Sequence, residues 1–376
     1  MNKLLILGFC FLIGCYAEPE KQLEYSTVKV ELENVKNERN IKIENIVALE
    51  TTSASVIGRC EKIITHQGKY YVLDFKERNI KVFSKAGAYI ETIGRIGRGN
   101  HEYLHISDIN INKSRNSLDA IDPRGKIVRY DLSSSSYLGD IVIPSKASEL
   151  SHFTWLNNDT IILASFFQDF NIRMYSPESN IIFDKMVRSS MVDTEVAPFF
   201  FKSSFWKHKD RINYLNIFDT EVYCFNNGEL KKRFALNFTS SHFSYDEIGE
   251  VKKEYDILEY LRERQKAFPI YNCYENEEYF AFGIYINALQ QVEYFAFEKS
   301  SPSEIFRINF GKYPNNAADY EGFATGLESD HFIALVHSPD KIGKIFQGAI
   351  IPDKFEGLID NALPEDNPFL IEYTIF

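Results

Sequence analysis

Lys69-Tyr70-Tyr71-Val72-Leu73-Asp74 and Asn79-Ile80-Lys81-Val82-Phe83-Ser84 are the two runs on which the fold is decided. Each is six residues long, rich in aromatic and β-branched side chains, and bounded by turn residues, which is the signature of a short strand. Cys60 to His66 is a similar run on the N-terminal side, separated from the first by Gln67-Gly68. Residues 88–93 form a fourth, entered through Lys85-Ala86-Gly87. Four runs with turn chemistry every eight to twelve residues predict a four-stranded antiparallel unit.

The unit recurs. Residues 106–112, Ser117 to Asp122, Lys126 to Asp131 and residues 137–143 repeat it, with Leu118-Asp119-Ala120-Ile121-Asp122 echoing Tyr71-Val72-Leu73-Asp74. Weaker copies follow at 152–187, 199–236, 270–310 and 322–376. A spacing of roughly 40–50 residues is that of propeller blades. The fold class expected is therefore all-β, a six-bladed β-propeller of four-stranded antiparallel blades over 41–376. One blade cannot bury both faces of its sheet, whereas a ring of blades buries each against its neighbours. Such a ring must close, and residues 41–49, a strand-like run ahead of the first unit, are expected to pair with the last strand near 370–375. Residues 244–267 interrupt the pattern. Ile248, Val251, Tyr255, Leu258 and Leu261 recur at helical steps, predicting an amphipathic helical insertion. Pro269 limits its continuation.

The N-terminus reads as an address. Met1-Asn2-Lys3 is followed by an apolar run from Leu4 to Ile13, too short to span a bilayer, and ends in Leu12-Ile13-Gly14-Cys15. This resembles the bacterial lipobox. It makes residues 1–14 a lipoprotein signal peptide, Cys15 the lipidation site and residues 15–40 a polar tether. The expected location is the cell envelope, lipid-anchored to the outer membrane, periplasmic or surface-exposed.

Composition narrows the function classes. The 376 residues are 44% hydrophobic and 15% aromatic, enough for a large core. The net charge is −11, and no basic stripe is evident, which argues against nucleic acid as a partner. Beyond Cys10 and Cys15, the cysteines are Cys60, Cys224 and Cys273, an odd number with no close pair. They are read as buried strand residues.

His101-Glu102-Tyr103-Leu104-His105 fits the zinc-peptidase pattern H-E-x-x-H. Its surroundings oppose that reading. Gly97, Gly99 and Asn100 precede it, and a β run begins at Ile106. In extended chain, residues i and i+4 stand about 13 Å apart, too far to share one ion. Neither a metal nor a cofactor is expected. Gly94-Arg95-Ile96-Gly97-Arg98-Gly99 is neither a P-loop nor a dinucleotide fingerprint. It reads as a tight connection that needs positive φ or close backbone approach. Arg95 and Arg98 could present donors to an anion. Acidic strand ends such as Asp74, Asp122 and Asp131 are read as turn caps.

Leu49-Glu50-Thr51-Thr52, Tyr70 to Asp74, Ile80 to Phe83 with Gly87, Ile93-Gly94 through Glu102-Tyr103, and Asn367-Pro368 before a final apolar strand resemble the six-bladed β-propeller lipoprotein family of Gram-negative bacteria, a relative of NHL-type propellers. The resemblance is strong over 46–131, faint through the middle and modest at the C-terminus. The family has Pro before its acidic-aromatic pair, where this chain has Asn100-His101. The resemblance implies that Glu102 is a recurring loop carboxylate and that the H-E-x-x-H match is incidental.

The function expected is that of a non-catalytic binding or protein-interaction module for a glycan, peptide or partner protein, attached to the membrane through its lipid alone. The candidate ligand residues are Arg95, Arg98, His101, Glu102, Tyr103 and Trp206, the last a possible aromatic platform. The alternative is an NHL-like enzyme, a metal-assisted lyase or hydrolase, with His or Asp residues from several blades converging on a central channel.

Overall fold

Gln67 and Gly68 form a two-residue turn with φ values of 46° and 73°. Two consecutive left-handed residues match the twist of the strands they join, and the second is glycine because no Cβ then opposes that conformation. The turn sets His66 opposite Lys69 and carries the pairing back to Cys60 opposite Asp74. The structure is a computed structural model and describes residues 26–31, 35–99, 101–144, 152–164, 170–187, 205–209, 211–215, 220–226, 228–238, 260, 263–264, 270–286, 291–311, 318–323 and 331–376. The segment read as a signal peptide, Cys15 and residues 199–204 of the fourth expected unit lie outside these residues.

Two strands, β1 (Ser26–Val30) and β2 (Glu38–Ala48), precede the first unit. That unit is an antiparallel sheet of β3 (Cys60–His66), β4 (Lys69–Asp74), β5 (Asn79–Ser84) and β6 (Tyr89–Ile93), in sequence order. The second sheet holds β7 (Asp108–Asn112), β8 (Ser117–Asp122), β9 (Lys126–Asp131) and β10 (Tyr137–Val142). The third holds β11 (His152–Trp155), β12 (Ile161–Ala164), β13 (Phe170–Ser176) and β14 (Ile181–Val187). The fourth runs from β15 (Phe205–His208) through β16 (Arg211–Leu215) and β17 (Glu221–Asn226) to β18 (Glu229–Phe238), with β1 added as a fifth strand. β19 (Ile270–Glu275), β20 (Tyr279–Ile286), β21 (Gln291–Glu298) and β22 (Ile305–Asn309) share one sheet with β23 (Tyr320–Glu321), β24 (Phe332–Val336) and β25 (Phe369–Ile375).

β2 joins the two halves of this last sheet. Its Glu38 to Asn40 pair in parallel with Arg307 to Asn309 of β22, and its residues from Ile41 onward pair antiparallel with β25. The six separate blades expected from the spacing are therefore not found. Four small sheets stand apart, and the strands of the last two expected units merge into one eight-stranded sheet because a single strand hydrogen-bonds to both. The arrangement remains propeller-like. Middle strands are sandwiched between neighbours, so all six residues of β8 are buried. Rim strands face solvent, and Val142 at the end of β10 is 70% exposed.

The expected closure is present. Ile41 lies opposite Ile375, and the ladder runs to Ala48 opposite Phe369. Val47, Leu49, Leu335 and Leu370 then pack on Cys60, Ile63, Val72 and Phe83, bringing the end of the chain onto its first sheet. Part of the span read as a tether is strand. Residues 26–30 are a strand parallel to Phe234–Phe238, with Val28 and Val30 buried against Phe234 and Leu236. Two alternate valines suffice to bury one face of a short strand, and β2 begins at Glu38, inside the span assigned to the tether. Of the helix expected at 244–267, Tyr260, Glu263 and Arg264 are described, and the Arg264 amide donates to the Tyr260 carbonyl at 3.0 Å, a helical i to i−4 bond. Two short helices missed in the sequence, α1 (Ile342–Ile345) and α2 (Glu356–Asp360), lie between β24 and β25.

Acidic strand ends cap turns as read. Asp74 accepts from the amides of Gly58, Arg59, Lys76 and Glu77, and Asp131 from those of Ser133 and Ser134. Among the described residues, Cys60, Cys224 and Cys273 form no disulfide; Cys60 is buried and the other two are half-buried.

Between the second and third sheets, Asp119 accepts the Trp155 indole N–H at 2.6 Å among Ile121, Phe153 and Ile161. Burial pushes its carboxyl up to about 6, against the pull of Ser117, Trp155, Arg129 and Arg115. An acid whose folded value lies above its unfolded one stabilises fully below the unfolded value and loses that contribution as pH rises through the folded value. Lowering pH from 7.5 to 5 should thus recover about 1 kcal/mol at this site. Urea melts of Asp119→Asn against the parent should show the variant lacking that part of the pH dependence, and a parallel pair of curves would refute the assignment.

Candidate ligand site on the axis

β3, β7, β11, β15 and β19 each form one edge of a sheet. β3 touches β7, β7 touches β11, β11 touches β15 and β15 touches β19, so these edges stand side by side around one axis. They enclose a recess of about 80 Å³. Lys62, Asn110, Thr154, Trp206 and Glu275, one from each of these strands, face it together with Lys113 and Lys207.

Two buried ion pairs shape its walls. Lys62 Nζ lies 2.7 Å from Asp108 Oδ1, and Asp108 also accepts the amides of Ile109 and Phe153. One carboxylate thereby ties the first three sheets together. His152 is next to this pair, and burial lowers its pKa to about 4, with Asp108 opposing and Lys62 assisting. The ring is neutral at physiological pH. Across the recess, Glu275 receives a two-pronged contact from Arg233, 2.7 and 2.6 Å from its two oxygens. Lys299, the Trp206 indole and Asn213 complete its shell at 3.2–3.3 Å. Burial alone would raise the Glu275 carboxyl, but the Arg233 bonds and charge, then Lys299, pull it down to about 2. His208 lies 3.3 Å from Lys299 and is also lowered by burial. Burial pushes the Cys273 thiol up, so it is no thiolate.

Of the ligand residues expected from the sequence, Trp206 reaches this recess. The other five belong to the connection between β6 and β7, which uses them to hold itself. Gly94 has φ of 90°, and a Cβ there would stand 2.2 Å from the Tyr103 hydroxyl. This is the positive φ and close approach expected of the loop. Tyr103 is buried, its amide donating to Arg95 and its carbonyl accepting from Gly97. Glu102 accepts the Gly99 amide at 2.8 Å and faces Arg95 at 3.5 Å. The Gly99 bond first, then the Arg95 charge, lower its carboxyl against burial. Arg98 adds its own amide to Glu102 and exposes its side chain. His101 packs against Tyr137 and His105 edge-on against Phe75, so the two imidazoles of the H-E-x-x-H match turn to different neighbours. Among the described residues, no three His, Cys, Asp or Glu side chains gather as metal ligands.

Lys62, Asp108 and Glu275 escaped the sequence reading because each is one residue of a separate strand. The signal available was a charged residue inside an otherwise largely uncharged first strand, as in Asp108-Ile109-Asn110-Ile111-Asn112 and Ile270-Tyr271-Asn272-Cys273-Tyr274-Glu275.

The chain is similar to a solved structure from Bacteroides fragilis NCTC 9343, a protein described as exported, at 18% identity and a TM-score of 0.74, covering 93% of this chain and 99% of that one. It is also similar to a member of the DUF4221 family from Bacteroides vulgatus ATCC 8482, at 7% identity and a TM-score of 0.60, covering 90% and 99%. At such identities the likeness concerns the fold, an arrangement of small antiparallel sheets. The family described as "Domain of unknown function (DUF4934)" matches residues 26–374. No curated protein matches the sequence.

Proposed function

We propose, for a chain that belongs to the DUF4934 family, the role of a lipid-anchored, non-catalytic binding module of the cell envelope, with its ligand entering the axial recess. The observation that carries the reading is the state of the titratable groups there. Asp108 and Glu275 are locked in buried ion pairs, and His152 and His208 are desolvated. Groups held this way fix the shape and polarity of a recess, whereas a general acid or base needs a proton within easy reach at working pH.

The address is part of the same proposal. The Bacteroides fragilis neighbour is described as exported, and Leu12-Ile13-Gly14-Cys15 supports attachment through a lipidated Cys15. Among the described residues, no helix is long and apolar enough to cross a membrane.

The test uses the full chain expressed in a Gram-negative host and extracted in detergent. Mass spectrometry of the N-terminal peptide should show acylated Cys15, and Cys15→Ser should leave the membrane fraction. A glycan array and a pull-down from envelope extract should yield a saturable ligand. Stoichiometric bound metal, lost together with a hydrolase or lyase activity on chelation, would overturn the non-catalytic reading.

A further inference from the structure

We propose that the edge of β18 on which β1 lies is a docking groove for an extended segment of a partner protein, and that β1 is its built-in competitor. This is a second site, separate from the axial recess and independent of the reading given to it.

Orientation sets β1 apart. β15 to β18 pair antiparallel in sequence order, whereas β1 comes from far earlier in the chain and joins β18 in parallel. It lies at the edge opposite β15, with β18 as its one strand neighbour. It is thus an addition to a four-stranded unit that is complete without it. Main-chain pairing along a sheet edge, with pockets for alternate side chains, is also how sheets take up extended peptides.

The pockets are formed. Val28 and Val30 are 2% and 0% exposed, whereas Thr27 and Lys29 face solvent. The two valines share one apolar cluster with Phe234 and Leu236 of β18 and with Phe282, Phe295 and Ile305 of the last sheet. They therefore fill a gap between two sheets, and the groove selects an extended segment with β-branched residues at alternate positions.

Length decides between occupants. β18 has ten residues, Glu229–Phe238, and β1 pairs with the last five. Beyond a register shift in that strand, the edge from Glu229 to Arg233 carries no further strand among the described residues. A second copy of the chain brings the same short strand and gains nothing by exchange. A partner segment longer than β1 can follow the edge through the shift, gain pairing that β1 does not make, and displace β1 from the shared part. β1 competes by being tethered, which gives it an effective concentration on the order of millimolar.

Two labelled peptides serve as probes, one of Ser26 to Val30 and one of the same five residues preceded by Thr-Val-Thr-Val-Thr. Fluorescence anisotropy with the full chain in nonionic detergent should show the long peptide binding saturably, about tenfold or more tighter than the short one. Hydrogen exchange should then rise in the chain's own Ser26–Val30 while Phe234–Phe238 stays protected. Val28→Asp with Val30→Asp ejects β1 and should tighten binding of the short peptide about tenfold or more. Serine at both valine positions of the peptide should abolish that binding. The ring closes through β2 and β25, so this variant is expected to fold; Val28→Ser with Val30→Ser, with a smaller gain, replaces it if it does not. No peptide binding to the folded variant overturns the proposal. So does long-peptide binding to the parent with exchange in Ser26–Val30 unchanged, which places the peptide elsewhere. A parent that is dimeric and becomes monomeric in the variant also overturns it, since a second copy then fills the groove.

Discussion

Replacing Arg233 by alanine should cost about 3–5 kcal/mol of folding stability at neutral pH. Arg233 is 6% and the Glu275 side chain 0% exposed, so the substitution strands a carboxylate inside the protein. The loss should lie nearer the lower figure, because Lys299, Trp206 and Asn213 still reach Glu275. The pH dependence identifies the cause. In the parent, Glu275 titrates near 2 when folded against an ordinary 4.5. Its contribution is full above the ordinary value and disappears as pH falls toward 2. Without Arg233, burial is the larger influence and the carboxyl rises, so the variant's deficit should shrink as pH falls from 7 to 4. Guanidinium melts at both pH values read this directly. Arg233→Met with Glu275→Leu should be much milder than either single change, since no charge is then stranded. A deficit that does not change with pH would mean that lost packing, not the stranded charge, is responsible.

The distinction between local and distant causes also explains what the sequence disclosed. The strands from Lys69 to Asp74 and from Asn79 to Ser84 were readable to the residue because a neighbouring turn determines each. Gly94 was readable because its constraint comes from Tyr103, nine positions on in the same loop. β1 was not. Ser-Thr-Val-Lys-Val has two apolar residues, and its partner strand lies more than 200 positions away. The merging of the last sheet was hidden for the same reason, since nothing near Glu38 to Ala48 says that one strand will serve two partners. The site is more distant still. Lys62 and Asp108 are 46 positions apart, Arg233 and Glu275 42, and each pair meets only when two sheets face one another. Aromatic and glycine-rich motifs drew attention to the β6–β7 loop, where conspicuous residues serve the loop's own geometry. The charges that shape the recess sit unremarkably inside β runs.

Two fragments noted in the sequence at opposite ends of the chain prove to be one structure, and its removal is the second large effect expected. Asn367 is 2% exposed. Its side-chain carbonyl accepts the Ile57 amide at 2.7 Å, and its amide group donates to the carbonyls of Glu50 at 2.7 Å and Ser55 at 2.9 Å. Its main-chain amide donates to Thr51 Oγ1. Thr52 and Ser55 bind each other within the turn that Asn367 grips. The bonds sit where β25 begins to pair with β2, so they lock the closure of the ring at the point where the last strand enters. Asn367→Ala would leave the Ile57 amide and the Ser55 carbonyl without the side-chain partner that Asn367 supplies, each worth about 1–3 kcal/mol when buried, and would take from the Glu50 carbonyl one of its two donors, the Ser55 hydroxyl remaining at 2.7 Å. Part of that is recoverable through water, and a net loss of about 3 kcal/mol is expected. Asn367→Asp should fail to rescue it, because a carboxylate accepts from Ile57 but faces the two carbonyls without a donor. Hydrogen exchange supplies the discriminating measurement. Opening at the closure should raise exchange in Ile41–Ala48 and Phe369–Ile375 before β8, whose six residues are all buried, is affected. If β8 exchanges in step with the closure, the ring opens as one unit and Asn367 contributes to global stability without acting as a latch.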